Sequence, residues 1–283
     1  MRSESGFARR FIAGETVDEA IAAARAIESR GLLQTLDYLG ESVSSLAEAD
    51  AATRDYLRVA DAITRAGIIR NLSLKLTQLG LDVDRATAVD NLRRILEKAE
   101  GFFIRIDMES SAYTQVTLDI FELLWEHGHR NIGVVLQADL YRTEADEERM
   151  GRLGARVRLV KGAYRESKSV AYQNKADVDA QYAKLVCRLL DRGHYPAIAT
   201  HDIKMITVAR EHAAKLGLGR DAFEFQMLYG IRRDLQQSLA AEGYRVRIYV
   251  PFGRQWFPYF MRRLGERPAN IGFVLRGLAA DRG

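Results

Sequence analysis

The sequence predicts one closed parallel (β/α)8 barrel, a single domain over residues 1–283, and three observations lead to it. From Leu32 onward, short β-branched and aromatic runs alternate with longer stretches whose apolar residues recur at three- and four-residue spacing, the pattern of βα units. Eight such units follow one another. No composition shift, Pro-rich linker or low-complexity stretch divides them, which favours one barrel over two domains and over the main rival, an open doubly wound sheet.

Residues 1–31 form a lead-in. Arg2 to Ile12 carries serines and three arginines and reads as an amphipathic helical segment; Glu4 and the lack of a long apolar stretch argue against a secretory signal. Thr16 and Glu19 make a T-x-x-E capping box, so a helix extra to the barrel is expected from Val17 to Ser29, stopped by Gly31. The first four strands are expected at Leu33 to Leu39, Arg70 to Leu76, Phe102 to Met108 and Ile132 to Ala138. The other four are expected at Arg156 to Lys161, Pro196 to His201, Phe223 to Leu228 and Arg247 to Val250. Helical patterns fill the gaps: Asp55 to Ala66, Asp84 to Lys98, Thr114 to His127 and Asp146 to Leu153, then Asp177 to Asp191, Lys204 to Leu216 and Gln236 to Glu242. A last helix, Trp256 to Arg267, follows the eighth strand.

Composition narrows the function. With 42 Lys and Arg against 38 Asp and Glu, the net charge of +4 is too small an excess for a dedicated nucleic-acid clamp. Cys187 is the single cysteine, so an internal disulfide and a multi-Cys zinc site are excluded, which favours a reducing, cytoplasmic setting. No window approaches the roughly 18 consecutive apolar residues of a membrane span. The five histidines, at 127, 129, 194, 201 and 212, show no metal-binding spacing, and no catalytic metal is expected.

In such a barrel the active site lies at the C-terminal ends of the strands. There the sequence places Glu41, Lys75, Asp107, Gln137, Arg158 with Lys161, Thr200 with His201, Gln226 and Tyr249. A charge within an apolar strand, as in Leu72-Ser73-Leu74-Lys75-Leu76 or Ile104-Arg105-Ile106-Asp107, must face the barrel mouth or bear a heavy desolvation cost. A solvated rim charge explains any one of these residues, but not so many at once. In Arg158 to Tyr164, Gly162 and Ala163 would let a planar ligand approach the backbone, beside the positive Arg158 and Lys161. Neither a G-x-G-x-x-G after the first strand nor a P-loop motif occurs, so a dinucleotide would have to bind at the barrel mouth. On the last helix Tyr259, Arg262, Arg263 and Glu266 cluster at three- and four-residue spacing, and paired guanidinium groups beside a phenol suit a small carboxylate. By residue chemistry alone the best rival is an aldolase-like barrel with Lys75 as the Schiff-base lysine.

With these residues in view, the chain resembles the monofunctional bacterial proline dehydrogenases over most of its length. The resemblance rests on Tyr38-Leu39-Gly40-Glu41, Leu74-Lys75-Leu76, Ile106-Asp107-Met108-Glu109, Leu136-Gln137-Ala138 and Arg158 to Tyr164. It continues through Ala199-Thr200-His201, Glu224-Phe225-Gln226, Arg247-Ile248-Tyr249 and Tyr259 to Asn270, in the same order. Asp202 departs from the family pattern, which often has Asn after Thr-His, and Met227-Leu228-Tyr229 is a second departure, at a place where variants differ.

What the resemblance implies is a distorted (β/α)8 barrel of the TIM type holding non-covalent FAD, which oxidises L-proline to 1-pyrroline-5-carboxylate and passes electrons to a membrane quinone. A peripheral contact with the inner face of the membrane is then expected. By the same carry-over, Lys75, Arg262 and Arg263 hold the proline carboxylate, and Leu228, Tyr249 and Tyr259 wall the ring. Asp107 and Arg158 are the catalytic pair, the first balancing the cationic cluster and the second near the flavin N5. Met108, Gln137, Lys161, Gly162, Ala163, Thr200, His201 and Glu266 are expected along the cofactor. The first and eighth strands are neighbours in a closed barrel, so Glu41 is expected to pair with Arg262 over bound substrate as a gate.

Overall fold

The computed structural model describes residues 10–265, with side chains through Arg263. Eight parallel strands close in sequence order into a barrel. They are β1 (Leu33–Tyr38), β2 (Asn71–Leu74), β3 (Phe103–Ile106), β4 (Ile132–Gln137), β5 (Arg156–Val160), β6 (Ala197–Ala199), β7 (Glu224–Leu228) and β8 (Arg245–Phe252). Helix α1 (Val17–Glu28) precedes β1, and α2 (Leu46–Ala66), α3 (Arg85–Lys98), α4 (Ser111–Glu126) and α5 (Thr143–Leu153) follow the first four strands. Helices α6 (Lys175–Arg192), α7 (Ile203–Lys215), α8 (Arg233–Ala241) and α9 (Trp256–Gly265) follow the other four.

The Thr16 and Glu19 capping box is formed, and α1 lays Ala20, Ile21, Ala24 and Ile27 inward across β1 and β8. Helix α2 begins nine residues earlier than its apolar spacing indicates, at Leu46 rather than Asp55, because Ser45 accepts the Glu48 N–H as an N-cap. Its Ala-rich first turns carry few large apolar groups, so periodicity alone does not find them. Strand β8 is longer than expected because it stays in register with β1 from Leu33↔Arg247 to Tyr38↔Phe252. Strands β2 and β3 are shorter, which puts Lys75 and Asp107 immediately beyond their last residues.

Most of the expected Arg2 to Ile12 helix lies outside the described residues; its described end, Arg10–Ile12, is a turn and bend. Phe11 and Ile12 join Leu39, Tyr259 and Phe260 in a small buried cluster apart from the main core. Beside it, the Ala13 N–H donates to the Pro251 carbonyl at 2.9 Å and the Gly253 N–H to the Gly14 carbonyl at 3.0 Å. These contacts hold α9 over the barrel mouth, next to the segment after β1.

The barrel interior is polar. Near the starts of the strands, the Arg247 guanidinium donates to both Glu224 carboxylate oxygens at 2.8 and 2.9 Å and to the Gln34 carbonyl at 2.8 Å. Arg105 reaches the Val134 carbonyl at 3.0 Å. Gly133 makes room for it, since a Cβ there would stand 2.6 Å from the Arg105 Nη1 and 2.5 Å from the Arg156 carbonyl oxygen. No described helix is long and apolar enough to cross a membrane.

Candidate active site

A cavity of about 570 Å³ opens at the C-terminal ends of the strands, roofed by α9. Its lining includes Lys75, Asp107, Met108, Gln137, Arg158, Lys161, Gly162, Ala163, Thr200, His201, Leu228, Tyr249, Tyr259, Arg262 and Arg263. Of the site residues named from sequence, Glu41 meets this set through Arg262, and Glu266 lies outside the described residues.

The floor is an ion network. Asp107 accepts from Arg158 Nη1 at 2.6 Å through one oxygen and from the Tyr249 hydroxyl at 2.7 Å through the other. Arg158 also donates Nε–H to Gln226 at 2.6 Å and Nη2–H to Ser73 at 3.0 Å, and its guanidinium lies 5.3 Å from the Tyr249 ring centroid. Contacts on all three nitrogens fix the guanidinium plane, an orientation that a lysine in its place could not keep. Burial and the nearby carboxylates push the Tyr249 hydroxyl well above its ordinary pKa, so it stays a proton donor to Asp107.

Lys75 sits between two carboxylates, 3.5 Å from Asp37 and 3.8 Å from Asp107. Burial disfavours its ammonium, but the combined field of Asp37 and Asp107 outweighs this and raises its pKa above the ordinary lysine value. A Schiff-base lysine must be neutral to attack a carbonyl, so this environment opposes the aldolase reading and suits a fixed cation.

On the roof, Arg262 donates to both oxygens of Glu41 at 2.8 and 3.1 Å. It also lies 5.8 Å from the Tyr164 ring centroid, and Arg263 lies 5.1 Å from that of Tyr259. Tyr164 lines the same cavity, and burial, with Glu109 and Glu41 nearby, raises its hydroxyl to about 12. Tyr164 and Asp37 are among the residues that the reading by strand ends misses. Tyr164 closes the Arg158 to Tyr164 motif, and Asp37 is a charge inside an apolar strand, so a signal existed for both.

Lys161 Nζ donates to Asp179 at 2.5 Å and to Asp202 at 2.9 Å. Asp202 accepts from Lys161 and also caps α7 by accepting the Lys204 N–H at 3.0 Å. Gly162 does line the cavity, but its missing Cβ is demanded elsewhere: φ is +121°, and a Cβ would fall 2.0 Å from an Asp139 carboxylate oxygen. Burial, with Glu166 nearby, raises that Asp139 carboxyl to about 6.

The cavity wall holds an acceptor that a flavin N–H could use. The buried Gln137 Oε1 has no hydrogen-bond partner among the described residues and belongs to a residue of the cavity wall, as an acceptor for a ligand N–H would. His201 Nε2 accepts the Leu228 N–H at 3.0 Å, which leaves Nδ1 as the protonated nitrogen of the neutral ring and ties the ends of β6 and β7 together.

A profile of the family described as proline dehydrogenase matches residues 20–276. The chain belongs to the proline dehydrogenase family. It is 45% identical over 277 residues to a proline dehydrogenase of Deinococcus radiodurans, covering 96% of this chain and 89% of that one. To proline dehydrogenase 2 of Bacillus subtilis it is 44% identical over 273 residues, covering 96% and 90%. Among solved structures, proline utilization A from Bdellovibrio bacteriovorus superposes with a TM-score of 0.86 at 27% identity, over 92% of this chain and 32% of that chain. As a member of this family the chain is an oxidoreductase that oxidises proline, and the family is flavin-dependent.

Proposed function

We propose that the cavity binds FAD non-covalently and holds L-proline against it beneath α9, yielding 1-pyrroline-5-carboxylate, with the electrons leaving to a membrane quinone. The observation that carries this reading is a cavity in which Lys75, Arg262 and Arg263, three of its five lining cations, stand beside the apolar and aromatic walls Leu228, Tyr164, Tyr249 and Tyr259. Three cations suit one carboxylate, and the walls suit a saturated ring. Bound FAD would accept the hydride equivalent from the ring carbon beside the nitrogen.

The protein's part is placement. Lys75 from below and the α9 arginines from above anchor the carboxylate, so the ring points along the aromatic walls. Asp107 holds Tyr249 and Arg158 in fixed positions and balances their cationic surroundings. Gln137, Met108, the backbone of Lys161 to Ala163, Thr200 and His201 would hold the cofactor. Glu41 closes the roof through Arg262 as a gate. Orientation of this kind is worth up to roughly 7 to 11 kcal/mol in the best model systems, so small displacements are costly.

The quinone part of this reading has its own support. Of the eight large apolar side chains exposed among the described residues, seven lie at the mouth face, on helix starts, the loops before them, and α9: Leu46, Val83, Tyr141, Val170, Ile203, Phe257 and Met261. Only Leu216 lies at the other end. Exposed Arg85, Lys168, Lys204 and Arg254 share that face with exposed Glu48, Asp82 and Asp84, so it is the apolar side chains that suit a bilayer surface. Phe257→Ser with Met261→Ser should reduce sedimentation with anionic vesicles while leaving activity with soluble quinone analogues unchanged.

A visible spectrum tests the core of the reading. Flavin bands in the purified protein that bleach on adding L-proline are expected. A colourless protein that borohydride traps with a carbonyl substrate would overturn it.

A further inference from the structure

We propose that Asp37 is a positioning residue for the substrate carboxylate: it holds Lys75 charged and aimed into the cavity. The proposal rests on the carboxylate-anchoring role of Lys75 given above. Asp37 is fully buried on β1, in register with Ser73 of β2 and Pro251 of β8, and does not itself line the cavity. One of its oxygens stands 3.5 Å from Lys75 Nζ, and the other has no hydrogen-bond partner among the described residues.

The two carboxylates beside Lys75 are not equivalent. Both oxygens of Asp107 already accept short hydrogen bonds, from Arg158 at 2.6 Å and Tyr249 at 2.7 Å, so its field is divided. Lys75 is the cation that faces Asp37. A buried carboxylate without a cation is expensive, and so is a buried ammonium without an anion. The two therefore keep each other ionised, and Lys75 stays a cation although it is 6% exposed. The other groups facing the pair are Glu109 on the segment after β3, Tyr164 after β5, Tyr249 on β8 and Tyr56 on α2. Each tyrosine is neutral in this environment, and Glu109 is engaged by Thr77 at 2.7 Å.

Replacing Asp37→Asn keeps the shape and removes the charge. Burial then draws the Lys75 pKa down, and a lysine binds a carboxylate only below its pKa, so binding should fail as pH rises. The probe is cyclopentanecarboxylate, which has the ring and the carboxylate but no amine to titrate, followed by calorimetry between pH 6 and 9. Wild-type affinity should hold steady, whereas the Asp37→Asn variant should lose at least about ten-fold across that range, the loss of one charge-assisted bond. Asp37→Glu should restore a flat profile. In a Lys75→Met background, adding Asp37→Asn should change neither affinity nor KM for proline, which also decides the matter if the single variant does not fold. A flat profile in Asp37→Asn, or a further loss in the Lys75→Met background, overturns the proposal. If Lys75→Met itself binds like the wild type, the anchoring role of Lys75 fails instead.

Discussion

The barrel holds two charged layers of opposite character. Near the strand starts, Glu224 is gripped by both arms of Arg247 at 2.8 and 2.9 Å and also accepts from Gln226 at 2.5 Å. Near the strand ends, Asp37 is just as deeply buried but meets a lysine at 3.5 Å through one oxygen. Their pKa directions diverge accordingly. Burial opposes ionisation of Glu224, yet Arg247 and Gln226 outweigh it and hold the carboxyl below its ordinary value. Burial also opposes ionisation of Asp37, and there Lys75 only partly offsets it, so its pKa is raised. A closed, fully bonded layer stiffens the barrel. An incompletely bonded one, open to a cavity, leaves charge available to a ligand.

The largest effect should come from breaking the lower layer. Glu224→Gln leaves Arg247 buried without its counter-charge, which costs about 3 to 5 kcal/mol of stability, read by equilibrium denaturation. Turnover per folded molecule should change less than stability, because Glu224 reaches the cavity only through Gln226, which accepts from Arg158. Lys75→Met should do the reverse, with KM for proline raised about ten- to hundred-fold, a charge-assisted bond's worth, and a smaller change in stability. If both variants lose stability alike, the two layers are not distinct.

The same comparison has a pH form. The folded pKa of Glu224 lies below its unfolded value of about 4.5, so its contribution is fully present above that pH and is lost as pH falls through the folded pKa. Acid denaturation should therefore become steeper below about pH 4.5 in the wild type than in Glu224→Gln. Parallel acid profiles would mean that the pair is not what stabilises the lower layer.

The upper layer should behave as a coupled unit. Asp107→Ala releases both Tyr249 and Arg158, and turnover should fall together with stability. A double-mutant cycle with Lys75→Met, whose ammonium is 3.8 Å away, should show about 0.5 to 3 kcal/mol of non-additivity. Additive effects within error would mean that the two act separately.

How much of this was readable without the structure follows from the distance over which each feature is decided. The eight strands were readable because each is a local run, and Lys75 and Asp107 because a charge inside such a run has to be explained. Asp37 satisfies the same test within Leu33 to Leu39, but its meaning depends on β1–β2 register, which pairs it with Ser73 and so brings it to Lys75. The partners of Lys161, Asp179 and Asp202, lie 18 and 41 residues further along the chain, so no local run of sequence shows the pairing. Gly162 shows the same limit: the glycine was visible, but the side chain that requires it, Asp139, belongs to another βα unit. Apolar periodicity does not mark a helix start where a cap decides it, as at Ser45.

The smallest effect on stability should come from the roof. Glu41 and Arg262 form a forked pair across the closure of the barrel, with 28% and 24% of their side chains exposed. A solvent-exposed pair contributes about 0 to 1 kcal/mol, so Glu41→Ala should barely shift the unfolding midpoint. Its effect on substrate should be larger than that figure, because Arg262 is also an anchor for the carboxylate and its aim depends on what holds its other side. Burial disfavours the Arg262 charge, and Glu41 outweighs this and raises its pKa; a guanidinium is basic enough to stay charged without Glu41, but it then loses its fixed orientation. Glu41→Ala should therefore slow flavin reduction by proline and weaken carboxylate competitors while leaving the oxidised flavin spectrum alone. Glu41→Gln, which keeps hydrogen-bond acceptance on one atom, should fall between. Stopped-flow reduction at the wild-type rate and affinity would make Glu41 a rim carboxylate. Closure would then rest on α9 and its cluster of Phe11, Ile12, Leu39, Tyr259 and Phe260.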